Sequence, residues 1–350
     1  MNFPKIYNKL FDLASKKGTH INFIDLLRNI NNKKNKEILT KHIYNEIPIR
    51  LANRVINLND LPFGLSKNHS IHKVRSWYLT SFIEMINLKN EDLDSIKFHN
   101  SIETIYKRHS DTFLTMSKGI YELKMENKIT DIEAPIMQKF LNKFYSNRTE
   151  IRILLEHFLS LNNNLPKKNS YGIINLKTNP LTILNNVLDQ LQSICYEDLQ
   201  NIIIINTKNH IELPFIDHYL HYILFELIKN SIQATREKNN INKIYNPFIT
   251  ININNLDENW IVIKIEDNGI GIKHDNLKKI WYYSFSTTPI DKNDINDNID
   301  FSPILSGFGH GLPISDIYMN FFNSDNYNIK IESIYGKGTI VYLFLKKYNI

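Results

Sequence analysis

Tyr222-Ile223-Leu224-Phe225-Glu226-Leu227-Ile228-Lys229-Asn230-Ser231-Ile232-Gln233-Ala234-Thr235-Arg236 is the stretch from which the rest of the chain is read. Tyr222, Phe225, Ile228 and Ile232 recur at three- and four-residue steps, which predicts an amphipathic helix with these side chains along one face. Glu226 and Asn230 interrupt the pattern one turn apart, so an acid and an amide stack beside an apolar stripe. Such a pair marks either a cleft wall or a solvated helix edge.

Three later stretches bear on that choice. Asp267-Asn268-Gly269-Ile270-Gly271-Ile272 follows the strand-like run Trp260 to Ile265, whose apolar residues continue almost without a break, as in a buried strand. Gly307-Phe308-Gly309-His310-Gly311-Leu312-Pro313 opens another helical pattern, and Gly336-Lys337-Gly338-Thr339 joins two strand-like runs. Alone, each short glycine motif reads as a turn. The order is more specific: Glu and Asn on a helix, Asp-x-Gly-x-Gly after a strand, a Gly-x-Gly-x-Gly-Leu hinge, then Gly-x-Gly-Thr.

In that order the motifs resemble the ATP site of the GHKL superfamily of gyrases, Hsp90-type chaperones, MutL-type repair proteins and histidine kinases. Glu226-Leu-Ile-Lys-Asn-Ser-Ile-Gln-Ala-Thr and Gly307-Phe-Gly-His-Gly-Leu-Pro-Ile-Ser narrow the resemblance to the mitochondrial 2-oxoacid dehydrogenase kinases, the pyruvate and branched-chain enzymes. The resemblance extends to Pro48-Ile49-Arg50-Leu51-Ala52, Ser76-Trp77-Tyr78, Arg108-His109 and Asn147-Arg148 through Ile151-Arg152.

The remaining sequence fits two domains. At 350 residues the chain can bury more than one core. Its hydrophobic fraction of 42% and charged fraction of 22% are those of a soluble protein, and no apolar run approaches the roughly 20 residues that span a bilayer. The net charge of +6 is dispersed, and its one dense cluster, Asn32 to Lys36, reads as an exposed turn, so no nucleic-acid partner is expected. The single Cys195 excludes internal disulfides and fits a reducing compartment, with a buried thiol as its default role. Met1 to Lys17 has lysines but no arginine and makes a poor transit peptide.

From Phe3 to Leu161 the pattern is helical, including one long helix over Leu93 to Met125 and another beginning at Ala134-Pro135. This predicts an antiparallel helical bundle over residues 1–165. Asn162 to Ser170 is the expected boundary. After it, short β runs at 202–205, 248–253, 261–265, 329–334 and 340–345 alternate with helices, predicting an α/β sandwich with a mixed sheet over residues 166–350. Ile290 to Ile304, rich in Asn and Asp, reads as a lid.

The resemblance implies roles for named residues. Glu226 would orient and deprotonate an attacking serine hydroxyl, and Asn230 would hold the Mg²⁺ of ATP. Asp267, Gly269, Gly271 and Thr339 would form the adenine pocket, while Gly307, Phe308, Gly309, His310, Gly311 and Leu312 would supply the lid hinge and phosphate-facing backbone. Ser286 and Thr287 stand where the resembling kinases carry a hydroxyl-rich segment; a plain polar loop is the alternative. In the bundle, Tyr78, Arg108, His109, Arg148 and Arg152 would form a pocket for a regulatory 2-oxoacid, against the reading of His109 as a satisfied core histidine.

The implied function is phosphorylation, and so inhibition, of the E1 component of a 2-oxoacid dehydrogenase complex in the mitochondrial matrix, with E2 and a second copy of the chain as partners. Asn268 replaces the usual Arg of the family. Tyr222 stands where the pyruvate enzymes often carry His; with Leu213-Pro214-Phe215-Ile216 it leans toward the branched-chain enzyme. The sequence stops soon after its last strand, without the longer tail that in the pyruvate enzymes contacts the lipoyl domain. A phosphorelay histidine kinase and an ATP-gated, non-catalytic scaffold are the alternative functions. Arg108-His109-Ser110-Asp111-Thr112 lacks the acid and proline expected near a phosphoacceptor histidine, and Glu226 argues against the scaffold.

Overall fold

In the computed structural model the described residues are 3–28, 30, 34–62, 64–93, 95–125, 134–162, 168–195, 203–207, 211–241, 246–286, 309–323 and 327–348. The chain divides into two units, Met1–Lys167 with Tyr171–Ile173, and Lys168–Ser170 with Ile174–Ile350.

The first unit is helical: α1 (Phe3–Ala14), α2 (Phe23–Leu27), α3 (Asn35–Asn59), α4 (His69–Asn87), α5 (Ile96–Arg108), α6 (Thr112–Met125) and α7 (Ala134–Asn162). Short polar side chains start several of these helices by accepting otherwise unpaired N–H groups: Asn22 and Asp25 form a reciprocal capping box at α2, Asn68 caps α4 and Ser95 caps α5. The core is made by the apolar stripes of α3, α4, α5 and α7, with Ile47, Leu51, Phe82, Phe98, Ile102 and Phe144 fully buried. Each such side chain contributes about 1.5–3 kcal/mol of burial. Arg50 crosses this interior, donating from Nε to Glu46 at 2.8 Å and from Nη1 to Glu150 on α7 at 2.7 Å.

The continuous helix expected over Leu93 to Met125 is instead α5 and α6, separated by a turn at His109 to Asp111. The apolar spacing stays in phase across the turn, which concealed the break. Arg148 supplies the physical reason for a buried helix end there, donating to the carbonyls of His109 at 3.1 Å and Ser110 at 3.3 Å.

The two-residue β1 (Ser170–Tyr171) is divided between the units, and the second unit contains β2 (Ile174–Thr178), α8 (Pro180–Cys195), β3 (Ile203–Thr207), β4 (Leu213–Phe215), α9 (Asp217–Ile241), β5 (Ile249–Asn255), β6 (Trp260–Asp267), α10 (Gly311–Phe322), β7 (Ile329–Ile334) and β8 (Gly338–Lys346). Its mixed five-stranded sheet has the order β3-β5-β6-β8-β7, with β3 and β5 parallel and the other pairs antiparallel. α9 packs against α8, α10 and strands β6 and β8.

β6 alternates instead of being buried throughout: Ile261, Ile263 and Ile265 lie in the core, while Val262, Lys264 and Glu266 are half-buried on the other face. One face of the sheet is therefore packed, which restores the period-two rule for antiparallel strands. β2, β4 and α8 were not separately legible, because their runs are short or lie between polar segments. The antiparallel β2–β4 pair anchors the start of α9, where Asp217 accepts from Asn175 and Thr178. No helix among the described residues is long and apolar enough to cross a membrane. Residues 163–167 of the expected boundary, the lid at 290–304 and the side chain of Cys195 lie outside the described set.

Candidate active site

The buried stripe of α9 is Leu220, Ile223, Leu224, Leu227, Ile228 and Ile232. Tyr222 and Phe225, expected on that stripe, are only half-buried, because α9 is covered from more than one side and the packed arc is rotated toward α8 and the sheet. Glu226 is 5% exposed while Asn230, one turn on, is open. Both line a cavity of about 510 Å³.

The same cavity is lined by Asp267, Gly271, Ser286, Gly309, Gly311, Leu312 and Thr339. The structure thus gathers on one concave wall residues that span more than a hundred positions of sequence. Gly269 lies behind the wall. It has no room for a Cβ, which would stand 2.7 Å from the carbonyl carbon of Ala234 and 2.8 Å from the backbone nitrogen of Thr235. That close approach lets the Ile270 N–H donate to the Ala234 carbonyl at 3.0 Å, fixing the loop after β6 onto α9. His310 is fully buried, 5.4 Å from the Tyr283 ring, and does not line the cavity. Thr287, Gly307 and Phe308 lie outside the described residues.

Asp267 ends β6 with its carboxylate accepting from the Gly269 N–H at 2.9 Å. Burial raises its pKa, against the hydrogen bonds from Gly269, Ser231 and Thr339 that favour the charged form. Asn268 accepts from the Phe248 N–H at 2.9 Å and donates to the Asn246 carbonyl at 2.9 Å, so it is a backbone strut.

Glu226 has two neighbours that fix it. Lys229 Nζ lies 2.6 Å from its Oε2, and Gly311, the first residue of α10, meets the same oxygen: a Cβ built there would stand 1.9 Å away. The carboxylate therefore fills space that only glycine leaves at the start of a helix, where N–H groups point outward and the dipole favours anions.

This donor set fits a magnesium nucleotide. Asp267 offers a buried acceptor on the cavity wall, and the start of α10 offers N–H groups. No cluster of three His, Cys, Asp or Glu side chains suited to a metal exists among the described residues. Mg²⁺, which keeps water and takes few protein oxygens, would be held by Asn230 together with the phosphates. Sequence reading missed Lys229, Ser231, Lys273, Asn276 and Tyr335; Ser231 and Lys229 were within reach of it, since both adjoin the Glu-Asn face of the helix.

The residues singled out in the helical unit are all placed. Arg108 forms a fork to Glu84 at 2.7 and 2.6 Å and a bond to Ser81 at 2.8 Å, so its guanidinium is committed within the unit. His109 caps α5, 4.3 Å from the Tyr78 ring, with Nε2 3.0 Å from Ser81 Oγ. Burial, and then the guanidinium groups of Arg148, Arg108 and Arg152, hold its pKa down to about 3, leaving a neutral imidazole. Arg152 stacks on Tyr106 at 4.3 Å, and its Nη1 is buried without a hydrogen-bond partner. Arg54, which the sequence did not single out, is 3% exposed with Nε likewise unpartnered, and burial lowers its pKa to about 10. The charges of Arg148, Arg54 and Arg152 all act on the buried Tyr78 hydroxyl.

His157, 2% exposed, is also held down, to about 4, by burial. Both histidines take up protons more readily in the unfolded chain, whose value is near 6.5. Their contribution to stability is complete above about pH 6.5 and is lost as pH falls toward 4. The melting temperature of the helical unit is expected to fall steadily from pH 7 to pH 4.5, and less steeply in His157→Leu. A melting temperature that stays level across that interval would contradict the buried, neutral state.

Two family models match the chain. Residues 16–175 match the model described as mitochondrial branched-chain alpha-ketoacid dehydrogenase kinase, and residues 217–349 match that of the histidine kinase-, DNA gyrase B- and HSP90-like ATPase. The mitochondrial [pyruvate dehydrogenase (acetyl-transferring)] kinase of Arabidopsis thaliana is 30% identical over 325 residues, covering 90% of this chain and 86% of that protein. Isozyme 1 of the human kinase of that name is 27% identical, covering 86% and 71%. The Ascaris suum kinase is 29% identical, covering 86% and 76%.

Proposed function

The chain belongs to the mitochondrial 2-oxoacid dehydrogenase kinase family, protein kinases with a GHKL-type ATP site, and we propose that it transfers phosphate from ATP to a serine of the E1 component of such a complex and thereby inhibits it. The observation carrying this reading is the convergence of Glu226, Asn230, Asp267 and Gly311 on one cavity. ATP would supply the γ-phosphoryl group and leave as ADP, the new serine O–P bond replacing the bond from the γ-phosphorus to the ADP oxygen, and Mg²⁺, when bound, would neutralise the phosphate charge. Asp267 accepts a hydrogen bond from the adenine amino group. Asn230 would hold the metal through its side-chain oxygen, and the first turn of α10 would direct N–H groups to the phosphates. Glu226 accepts the proton of the attacking serine hydroxyl, and Lys229 fixes the orientation of its carboxylate until the substrate arrives.

The name of the family model for the helical unit contains the branched-chain complex, whereas the relatives' names contain pyruvate dehydrogenase. The lean toward the branched-chain enzyme drawn from Tyr222 finds no support in those relatives, so the pyruvate complex is the first substrate to test. The partners we propose are E1, a lipoyl-bearing E2 and a second copy of this chain, in the mitochondrial matrix. In the bundle we propose that Tyr78, Arg148 and Arg152 bind the carboxylate of a regulatory 2-oxoacid. His109, being neutral, would contribute a hydrogen bond and not charge, and Arg108 would stay with Glu84. Arg152→Ala should raise the concentration of 2-oxoacid needed to inhibit the kinase by about ten-fold, as expected for one charge-assisted pair. An unchanged inhibition curve would remove Arg152 from the pocket.

The direct test is transfer of labelled phosphate from ATP to purified pyruvate and branched-chain dehydrogenase complexes. Acid-stable serine labelling of one E1 is expected. Labelling of neither, with ATP still bound, would favour the scaffold reading. A phosphorelay is disfavoured by His109 itself, which is 4% exposed.

A further inference from the structure

The cavity has a rim that neither the catalytic helix nor the glycine motifs account for. Tyr335 lies in the turn between β7 and β8, lines the cavity and is nevertheless 53% exposed. Lys273, from the loop after β6, also lines the cavity and holds its Nζ 5.3 Å from the centre of the Tyr335 ring. The bland reading is a solvated side chain at a turn tip.

The backbone beneath it argues otherwise, because the turn is locked to the Asp267 loop at several points. The Gly336 N–H donates to the Ile270 carbonyl at 2.6 Å, and the Ile272 N–H donates to Ser333 Oγ at 2.8 Å. Ser333 Oγ in turn lies 2.9 Å from Thr339 Oγ1, on the cavity wall. Gly271 adopts φ +72°, and a Cβ there would stand 2.3 Å from the Ile334 carbonyl oxygen, so the two backbones touch directly. A rigidly mounted aromatic residue, with a cation over its ring and open apolar area in a cavity that also holds a buried carboxylate, suits a flat, electron-rich heterocycle.

We propose that Tyr335, backed by Lys273, forms the outer wall of the nucleobase pocket, covering the edge of the purine remote from Asp267 and adding to affinity through the base and not the phosphates. This rests on the reading of the cavity as an ATP site. Aromatic–base stacking is sensitive to truncation, so Tyr335→Ala should weaken both ATP and ADP binding by on the order of ten-fold, measured by calorimetry. Tyr335→Phe should bind like the parent, and inorganic tripolyphosphate, which has no base, should bind Tyr335→Ala and the parent equally. Lys273→Met should lie between the parent and Tyr335→Ala.

Asp267→Asn is the control that separates the two readings. Loss of ATP binding in Asp267→Asn with unchanged binding in Tyr335→Ala would overturn the outer wall and leave the adenine site standing. Unchanged binding in both variants would overturn the adenine reading of the cavity, and the wall with it. Equal weakening of tripolyphosphate and ATP in Tyr335→Ala would also overturn the proposal, since the contact would then be to phosphate.

Discussion

Glu226→Gln is expected to lower phosphoryl transfer to E1 by about 10²–10⁴-fold, the range a positioned general base supplies, while ATP affinity stays within a few-fold of the parent. Glutamine keeps the size and reach of the side chain but cannot take the serine proton. It also loses the ion pair with Lys229, whose Nζ lies 2.6 Å from Glu226 Oε2. Both side chains are nearly buried, at 7% and 12% exposure, so the substitution removes one charge of a poorly solvated pair. A small drop in melting temperature should accompany the kinetic loss. The comparison to make is single-turnover transfer beside nucleotide affinity. A variant that transfers phosphate at the parental rate would show that Glu226 is not the base.

Gly311→Ala is expected to have the next largest effect, on the order of 10²-fold in transfer rate, by displacing a group and leaving its chemistry intact. The added Cβ would stand 1.9 Å from Glu226 Oε2 and 2.7 Å from its Cδ. Because the obstacle is the far end of a side chain and not a backbone atom, the carboxylate moves and the fold persists. Alanine is also the better helix former, so thermal stability should hold. The two substitutions act on one carboxylate and should not add: Gly311→Ala in a Glu226→Gln background should cost little more. Full additivity would place the action of Gly311 elsewhere, for instance on the phosphates.

The division into a helical unit and an α/β unit was legible because apolar spacing of three and four residues gives way after residue 170 to short β-branched runs. Spacing failed wherever a break preserved phase, as at His109 to Asp111, and wherever an apolar run concealed alternation, as in β6. Asn268 shows the same limit at the site. Its identity is plain in the sequence, but only its bonds to Phe248 and Asn246 reveal a strut and not a ligand contact.

By itself, the sequence determined which chemical groups the protein possesses near its nucleotide motifs: an acid and an amide one helical turn apart, an acid closing a strand, and glycines where backbone must approach closely. Those features are local, and local geometry follows from residue type and spacing. The tertiary structure alone decided which groups meet. It set Glu226 against Gly311, withdrew His310 into the core, tied Arg108 to Glu84, and brought Tyr335 to the mouth of the cavity. The reason is physical: burial, charge compensation and steric exclusion depend on neighbours distant in the chain, and those neighbours exist only once the helices and the sheet have packed.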